Sequence, residues 1–111
     1  MNESELLKQI QLYVSTTGGR VFRNNIGSYI GHGGHYIRYG VCNPGGSDLI
    51  GWDRNGVFLA IECKLLSGRV TSEQQNFINQ VNLAGGIGII ARSLQDVIDK
   101  LGASKCQTSK P

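Results

Sequence analysis

The chain has 111 residues, enough for one domain with a real core and too few for a second. Its residues are 40% hydrophobic and 17% charged, which argues against disorder, and no apolar run approaches the roughly 18 residues of a membrane span. Net charge is +3, from 11 Lys and Arg against 8 Asp and Glu, which permits a polyanionic partner without demanding one.

The N-terminal MNESELLKQI lacks the basic start, apolar run and small-residue cleavage site of a secretory signal. Three cysteines, Cys42, Cys63 and Cys106, form an odd and sparse set, read as reduced thiols in a cytoplasmic protein. Glycine is unusually common, 16 residues, clustered at 27–56 and 85–88 without a period. Such clusters mark tight turns or close backbone approach.

Leu6, Leu7, Ile10, Tyr13 and Val14 recur at helical spacing and predict a helix over 3–15, stopped by Thr16-Thr17-Gly18-Gly19. Val21–Asn24 is a short strand candidate, 27–35 a glycine-rich loop with two histidines, and Tyr36–Tyr39 a second short strand candidate. Asn43-Pro44-Gly45-Gly46 is a turn cluster, followed by a strand over Ser47–Trp52 and a hairpin turn at Asp53-Arg54-Asn55-Gly56. VFLAIECKLL, residues 57–66, is the strongest strand, apolar enough to be buried on both faces. Thr71-Ser72-Glu73-Gln74 is a capping-box pattern that opens a helix running to about Leu83. Gly88–Ala91 is a buried strand, and Ser93 precedes a last helix to about Leu101. The expected organisation is a single α/β domain over 1–102 with a polar, frayed tail over 103–111. Its element order is α-β-β-β-β-α-β-α, with a right-handed parallel crossover between the strands at 57 and 91.

The chemistry lies where polar residues occupy apolar positions. Alternation along VFLAIECKLL puts Phe58, Ala60, Glu62 and Lys64 on one face and Leu59, Ile61, Cys63 and Leu65 on the other. A carboxylate and an ammonium therefore point the same way from an apolar strand, where charges are uncommon unless paired or bound to metal. Asp48 heads the alternating set Asp48, Ile50, Trp52, and the hairpin through 53–56 can bring it near Glu62. Two such carboxylates suit Mg²⁺ or Mn²⁺. A cation there can polarise a phosphoryl oxygen and acidify a water, while Lys64 can hold that water or stabilise the phosphorus transition state.

Ser47-Asp48…Glu62-Cys63-Lys64 is a PD-(D/E)XK nuclease pattern. Its surroundings strengthen it. The acidic first helix, Gly46-Ser47-Asp48-Leu49-Ile50-Gly51, Ala60-Ile61-Glu62-Cys63-Lys64 and Thr71-Ser72-Glu73-Gln74…Phe77…Val81…Gly85-Gly86 together resemble the VRR-NUC family in its short stand-alone phage and prophage form, over about residues 3–92. The resemblance implies a restriction-endonuclease-like core, a mixed β-sheet flanked by helices. It implies Asp48, Glu62 and the Cys63 backbone carbonyl as metal ligands, Lys64 as the catalytic lysine, and Gln74 as the helix residue facing the site. It also implies a glutamate on the first helix, matched by Glu3 with Glu5 as the alternative; Glu3 shares the face of Leu6, Leu7 and Ile10 and is expected to point inward. Leu7 stands where the family often has glutamine.

His32-Gly33-Gly34-His35 with Cys42 lacks a fourth ligand at zinc spacing and reads better as part of a substrate-facing flap. Arg20, Arg23, Arg38, Arg54 and Arg69 are candidate phosphate contacts. No GxxxxGK[ST] motif supports a nucleotide motor. The expected activity is a Mg²⁺- or Mn²⁺-dependent endonuclease cutting DNA, with a non-catalytic nucleic-acid-binding module as the alternative. Proteins of the resembled form act as homodimers on branched DNA, so a homodimer on four-way junctions, with 27–46 near the DNA or the dimer seam and no membrane partner, is the expected assembly.

Overall fold

The computed structural model describes residues 1–108, with side-chain surroundings for residues 1–102. Helix α1 (Glu3–Thr16) starts where the Asn2 side chain accepts a hydrogen bond from the Glu5 N–H at 2.8 Å, a cap that satisfies an otherwise orphan donor. Leu6, Leu7, Ile10 and Val14 form its buried stripe. Strand β1 (Arg20–Arg23) follows.

The segment expected to be a glycine-rich loop instead opens with a strand, β2 (Gly27–Ile30), paired antiparallel with β3 (Tyr36–Tyr39) as a separate two-stranded ribbon. Its glycines serve the pairing. The tip is a short 3-10 turn, His32–Gly34, in which Gly33 (φ +81°) and Gly34 (φ +77°) take a left-handed conformation and the Gly31 N–H donates to the His35 carbonyl at 2.8 Å. At Gly27 a side chain would collide with the Tyr39 ring lying across it.

Strand β4 (Leu49–Trp52) and strand β5 (Phe58–Cys63) form the hairpin expected around 53–56. Buried Asp53 closes it, its Oδ1 accepting from the N–H groups of Asn55 (2.8 Å) and Val57 (2.9 Å). Strand β5 ends at Cys63, short of the expected Leu66. One ladder contact continues, from the Lys64 N–H to the Ala91 carbonyl at 2.9 Å, before Gly68 N–H bonds back to the Leu65 carbonyl and turns the chain. Helix α2 (Ser72–Leu83) carries the anticipated capping box, with both reciprocal bonds between Thr71 and Gln74 present. Strand β6 (Ile87–Ala91) lies parallel to β5, so α2 is the crossover. Helix α3 (Leu94–Thr108) continues past the expected stop near Leu101 into the segment read as a tail, whose last residues 109–111 lie outside the described part.

The main sheet has the order β1-β4-β5-β6, mixed in direction, with one more strand in the chain than the sequence pattern indicated. One face packs against α1 and α3 through Leu6, Ile10, Leu49, Leu59, Ile61, Cys63 and Val97. The other is covered by α2 over β5 and β6, through Ala60, Ile78 and Val81. The expected alternation along β5 is therefore realised, and the strand is buried from Leu59 to Cys63. Ile50 of β4 still packs beneath α2, but toward the β1 edge and the turn end the cover thins, leaving Phe22 (49% exposed) and Trp52 (45%) at the surface with their rings 5.7 Å apart, and Phe58 (42%) at the start of β5.

Candidate active site

The register fixes the site. Leu49 pairs with Ile61 and Ile50 with Ala60, so the antiparallel ladder continued by one step sets Asp48 beside Glu62. The Cys63 N–H donates to Asp48 Oδ2 at 2.9 Å, which holds that carboxylate against the end of β5. Lys64 Nζ lies 3.6 Å from Glu62 Oε2, so the ammonium and the carboxylate share a face as alternation required. Glu62 is only 2% exposed, and among the described residues its Oε1 has no hydrogen-bond partner.

A buried, half-partnered carboxylate is costly. Burial pushes the Glu62 carboxyl up to about 7, the adjacent Asp48 charge adds to the rise, and Lys64 opposes it. The Cys63 thiol is pushed up, first by burial and then by the negative field of Asp48, Glu62 and Glu3. It packs in the α1–α3 core as a protonated side chain, so it is the backbone of Cys63, through its N–H on Asp48, that reaches this face.

The unpartnered Glu62 oxygen, next to a second carboxylate that a backbone N–H has already oriented, fits a hard divalent cation. Asp48 and Glu62 supply hard oxygen donors, and the Cys63 carbonyl lies between Glu62 and Lys64 in the chain. Glu3 is exposed at the first turn of α1 rather than inward-pointing. A carboxylate there stays hydrated, although it is close enough for its field to reach Cys63. Among the described residues no group of three or more His, Cys, Asp and Glu side chains is gathered for a metal.

Gln74 and Asp48 line one polar cavity of about 620 Å³ with Arg23, Asn25 and Tyr39. Gln74 therefore faces the site while its Oε1 accepts from the Thr71 N–H at 3.0 Å. Of the arginines singled out, Arg23 alone lines this cavity. Arg20 pairs with Trp52 at the far end of β1, Arg38 is on the ribbon, Arg54 is in the β4–β5 turn, and Arg69 is exposed between β5 and α2.

Two residues that the sequence pattern did not mark hold the site in shape. Buried Asn24 accepts from the Val41 N–H (2.9 Å) and donates to the carbonyls of Val41 (3.1 Å) and Ser47 (3.0 Å), tying the ribbon's exit to the residue before Asp48. The Arg92 Nη1 donates to the carbonyls of Leu65 (2.8 Å) and Gly68 (2.9 Å), bracing the turn that follows Lys64. Both sets of bonds join residues far apart in the chain, so nothing local to Asn24 or Arg92 marks either one. Charge-assisted bonds of this kind contribute roughly 1.5–3 kcal/mol each at most. Arg92→Ala should therefore lower the urea midpoint, with m unchanged, by the equivalent of about 2 kcal/mol, and amide exchange should quicken first at 65–68. An unchanged midpoint would show that the turn holds without the guanidinium.

A mixed sheet carrying Asp48, Glu62 and Lys64 at the ends of two adjacent central strands, with a helix glutamine that shares a cavity with Asp48, has the architecture of a PD-(D/E)XK nuclease. The family model described as VRR-NUC domain matches residues 28–95, and the chain belongs to that family. It is accordingly a nuclease domain, of a type that generally uses divalent metal. No curated protein and no solved structure matches the chain.

Proposed function

We propose that this protein is a Mg²⁺- or Mn²⁺-dependent endonuclease that hydrolyses DNA phosphodiesters, acting as a homodimer on branched DNA such as four-way junctions. The observation that carries this reading is Glu62, a carboxylate 2% exposed with one oxygen unpartnered, set between Asp48 and Lys64. Such a group is unfavourable in the protein alone and becomes favourable with a cation against it. When bound, a divalent cation polarises the phosphoryl oxygen and lowers the pKa of a water. Asp48, Glu62 and the Cys63 carbonyl hold it, with Glu3 or Glu5 as the further carboxylate from α1. Lys64 positions the attacking water and offsets charge growing on the phosphoryl group. Gln74 orients from α2, and Arg23 meets a phosphate in the shared cavity.

Two strands of a symmetric junction need two symmetric cuts, which a two-fold dimer supplies. The open sheet face with Phe22, Trp52 and Phe58 supports the pairing, because an aromatic row of this kind is unusual on a monomer. The free thiols of Cys42 and Cys63 suit a cytoplasmic setting. Among the described residues no helix is long and apolar enough to cross a membrane.

The test is cleavage of labelled four-way junction, linear duplex and single strand with Mg²⁺, Mn²⁺ or EDTA, together with sedimentation at micromolar concentration. Metal-dependent cutting of the junction in preference to duplex, by a dimer, is expected. A strict monomer that cuts duplex equally well would reject the dimer and the branched substrate while leaving a metal nuclease. Binding without cutting under every metal would favour a non-catalytic module.

A further inference from the structure

The β2–β3 ribbon pairs with no strand of the main sheet and stands exposed on both sides. The register splits it into two faces. Tyr29, Ile37 and Tyr39 share one, with the Tyr29 and Tyr39 rings 6.4 Å apart. Ile30, Tyr36, Ser28 and Arg38 share the other, with Tyr36 directly opposite Ile30. Tyr36 is 75% exposed and Ile30 65%, an arrangement that leaves large apolar groups in water unless something covers them.

The ribbon is nevertheless braced. The Asn43 amide donates to the carbonyls of Gly27 and Tyr39, the latter at 2.9 Å, and Asn24, just past β1, accepts from the Val41 N–H of the segment after the ribbon. An arm held this way presents its side chains with little ordering left to lose on binding.

Charge selects the occupant. From Leu6 through Ser47 the chain holds no Asp or Glu, while Lys8, Arg20, Arg23 and Arg38 fall within it. The base of the ribbon, Ile26 and Tyr39, also lines the cavity that contains Asp48, Gln74 and Arg23. A polyanion led from the cavity along this segment meets no acidic side chain of residues 6–47; it meets Tyr39 at the base of the ribbon and, on the ribbon's other face, Tyr36, Ile30 and Arg38. Aromatic side chains beside a cation are the means by which proteins hold unpaired nucleotides, because every base has a face that stacks.

We propose that the β2–β3 ribbon is a stacking arm for unpaired bases, with Tyr36 and Ile30 as the platform and Arg38 on the adjoining phosphate. The arm thereby selects DNA with unstacked nucleotides beside the cut. This rests on the nuclease reading and deepens it, assigning a preference for branch points that expose unpaired nucleotides to a surface separate from the metal-holding carboxylates.

The experiment measures binding in EDTA to a duplex interrupted by a short unpaired stretch containing 2-aminopurine, and to the same duplex without interruption. Wild-type protein should quench the 2-aminopurine as it stacks. Tyr36→Ala should abolish the quench and weaken binding to the interrupted duplex by roughly 5- to 100-fold, the worth of one base–aromatic stack, with continuous duplex changed within about twofold. Arg38→Ala should instead weaken both and reduce the salt slope by about 1. Because Tyr36 is exposed, thermal melts of Tyr36→Ala should match wild type.

Equal losses on both DNAs, or no loss on either, would overturn the arm. So would a change in sedimentation of the DNA-free protein on Tyr36→Ala, since the ribbon would then be a contact between copies. If wild type cuts no DNA with Mg²⁺ or Mn²⁺, the nuclease reading fails on its own, and that failure is distinct from an unchanged 2-aminopurine signal in a protein that cuts.

Discussion

Asp48→Asn and Glu62→Gln should each abolish cleavage and yet leave a folded protein, and Glu62→Gln should be more stable than wild type in the absence of metal. The activity loss follows from removing one of the two carboxylates that the β4–β5 register sets side by side at the strand ends. The stability gain follows from linkage. Burial and the neighbouring Asp48 raise the Glu62 carboxyl from 4.5 in the unfolded chain to about 7 in the folded one. The native state therefore holds this proton more tightly, so the carboxyl's contribution to stability is fully present below pH 4.5 and is lost as pH rises through about 7. Above that, wild type carries a buried anion that the amide variant does not, and the gap should reach about 3 kcal/mol. Urea midpoints measured in EDTA from acid to mildly alkaline pH check the sign. Wild type should weaken across the window while Glu62→Gln stays level. Adding Mg²⁺ or Mn²⁺ should then raise the wild-type midpoint and leave the variant unmoved, since only a protein that binds the ion gains from it. Wild-type cleavage by either variant would remove these carboxylates from the chemistry.

The carboxylate pair was legible because two local rules met at one place. Period-two alternation named the face of Glu62 and Lys64, and the short Asp53–Gly56 turn set the register that brings Asp48 alongside. The buried core of α1 was equally plain, since Leu6, Leu7, Ile10 and Val14 follow one helical stripe. The misses arose where distant partners override local composition. Gly27-Ser28-Tyr29-Ile30 reads as loop by its glycines and becomes a strand only because Tyr36–Tyr39 returns beside it and Asn43 ties the base. Leu65 and Leu66 read as strand by their hydrophobicity, yet the chain has already turned there, held by Arg92 from beyond β6. Glu3 shares a helical face with Leu6 and Leu7, but a face says nothing about whether a layer extends far enough to cover the first turn, and at Glu3 it remains exposed. Arg20 and Arg23 look equivalent in sequence. Two residues of strand separate them into opposite ends of β1, with only Arg23 at the cavity.

Lys64→Ala should separate catalysis from binding. The ammonium lies 3.6 Å from Glu62 and is half-buried, so it sits with the carboxylates rather than on the outer surface. Removing one preorganised electrostatic group typically costs on the order of 10²-fold or more in rate. Affinity should change little, because one cation is a small part of a salt-dependent phosphate interface. A second effect distinguishes this from simple loss of a charge. Lys64 lowers the Glu62 carboxyl, so without it Glu62 stays protonated to higher pH and competes longer with a cation for its oxygens. The residual activity of Lys64→Ala should therefore rise with pH later than wild-type activity does, and a higher metal concentration should recover part of the lag but none of the 10²-fold deficit. Single-turnover rates at saturating protein, taken against pH at two metal concentrations, read both terms. If the saturated rate is normal and only affinity collapses, Lys64 is a docking residue, and the chemistry must rest on Asp48, Glu62 and Gln74 without it.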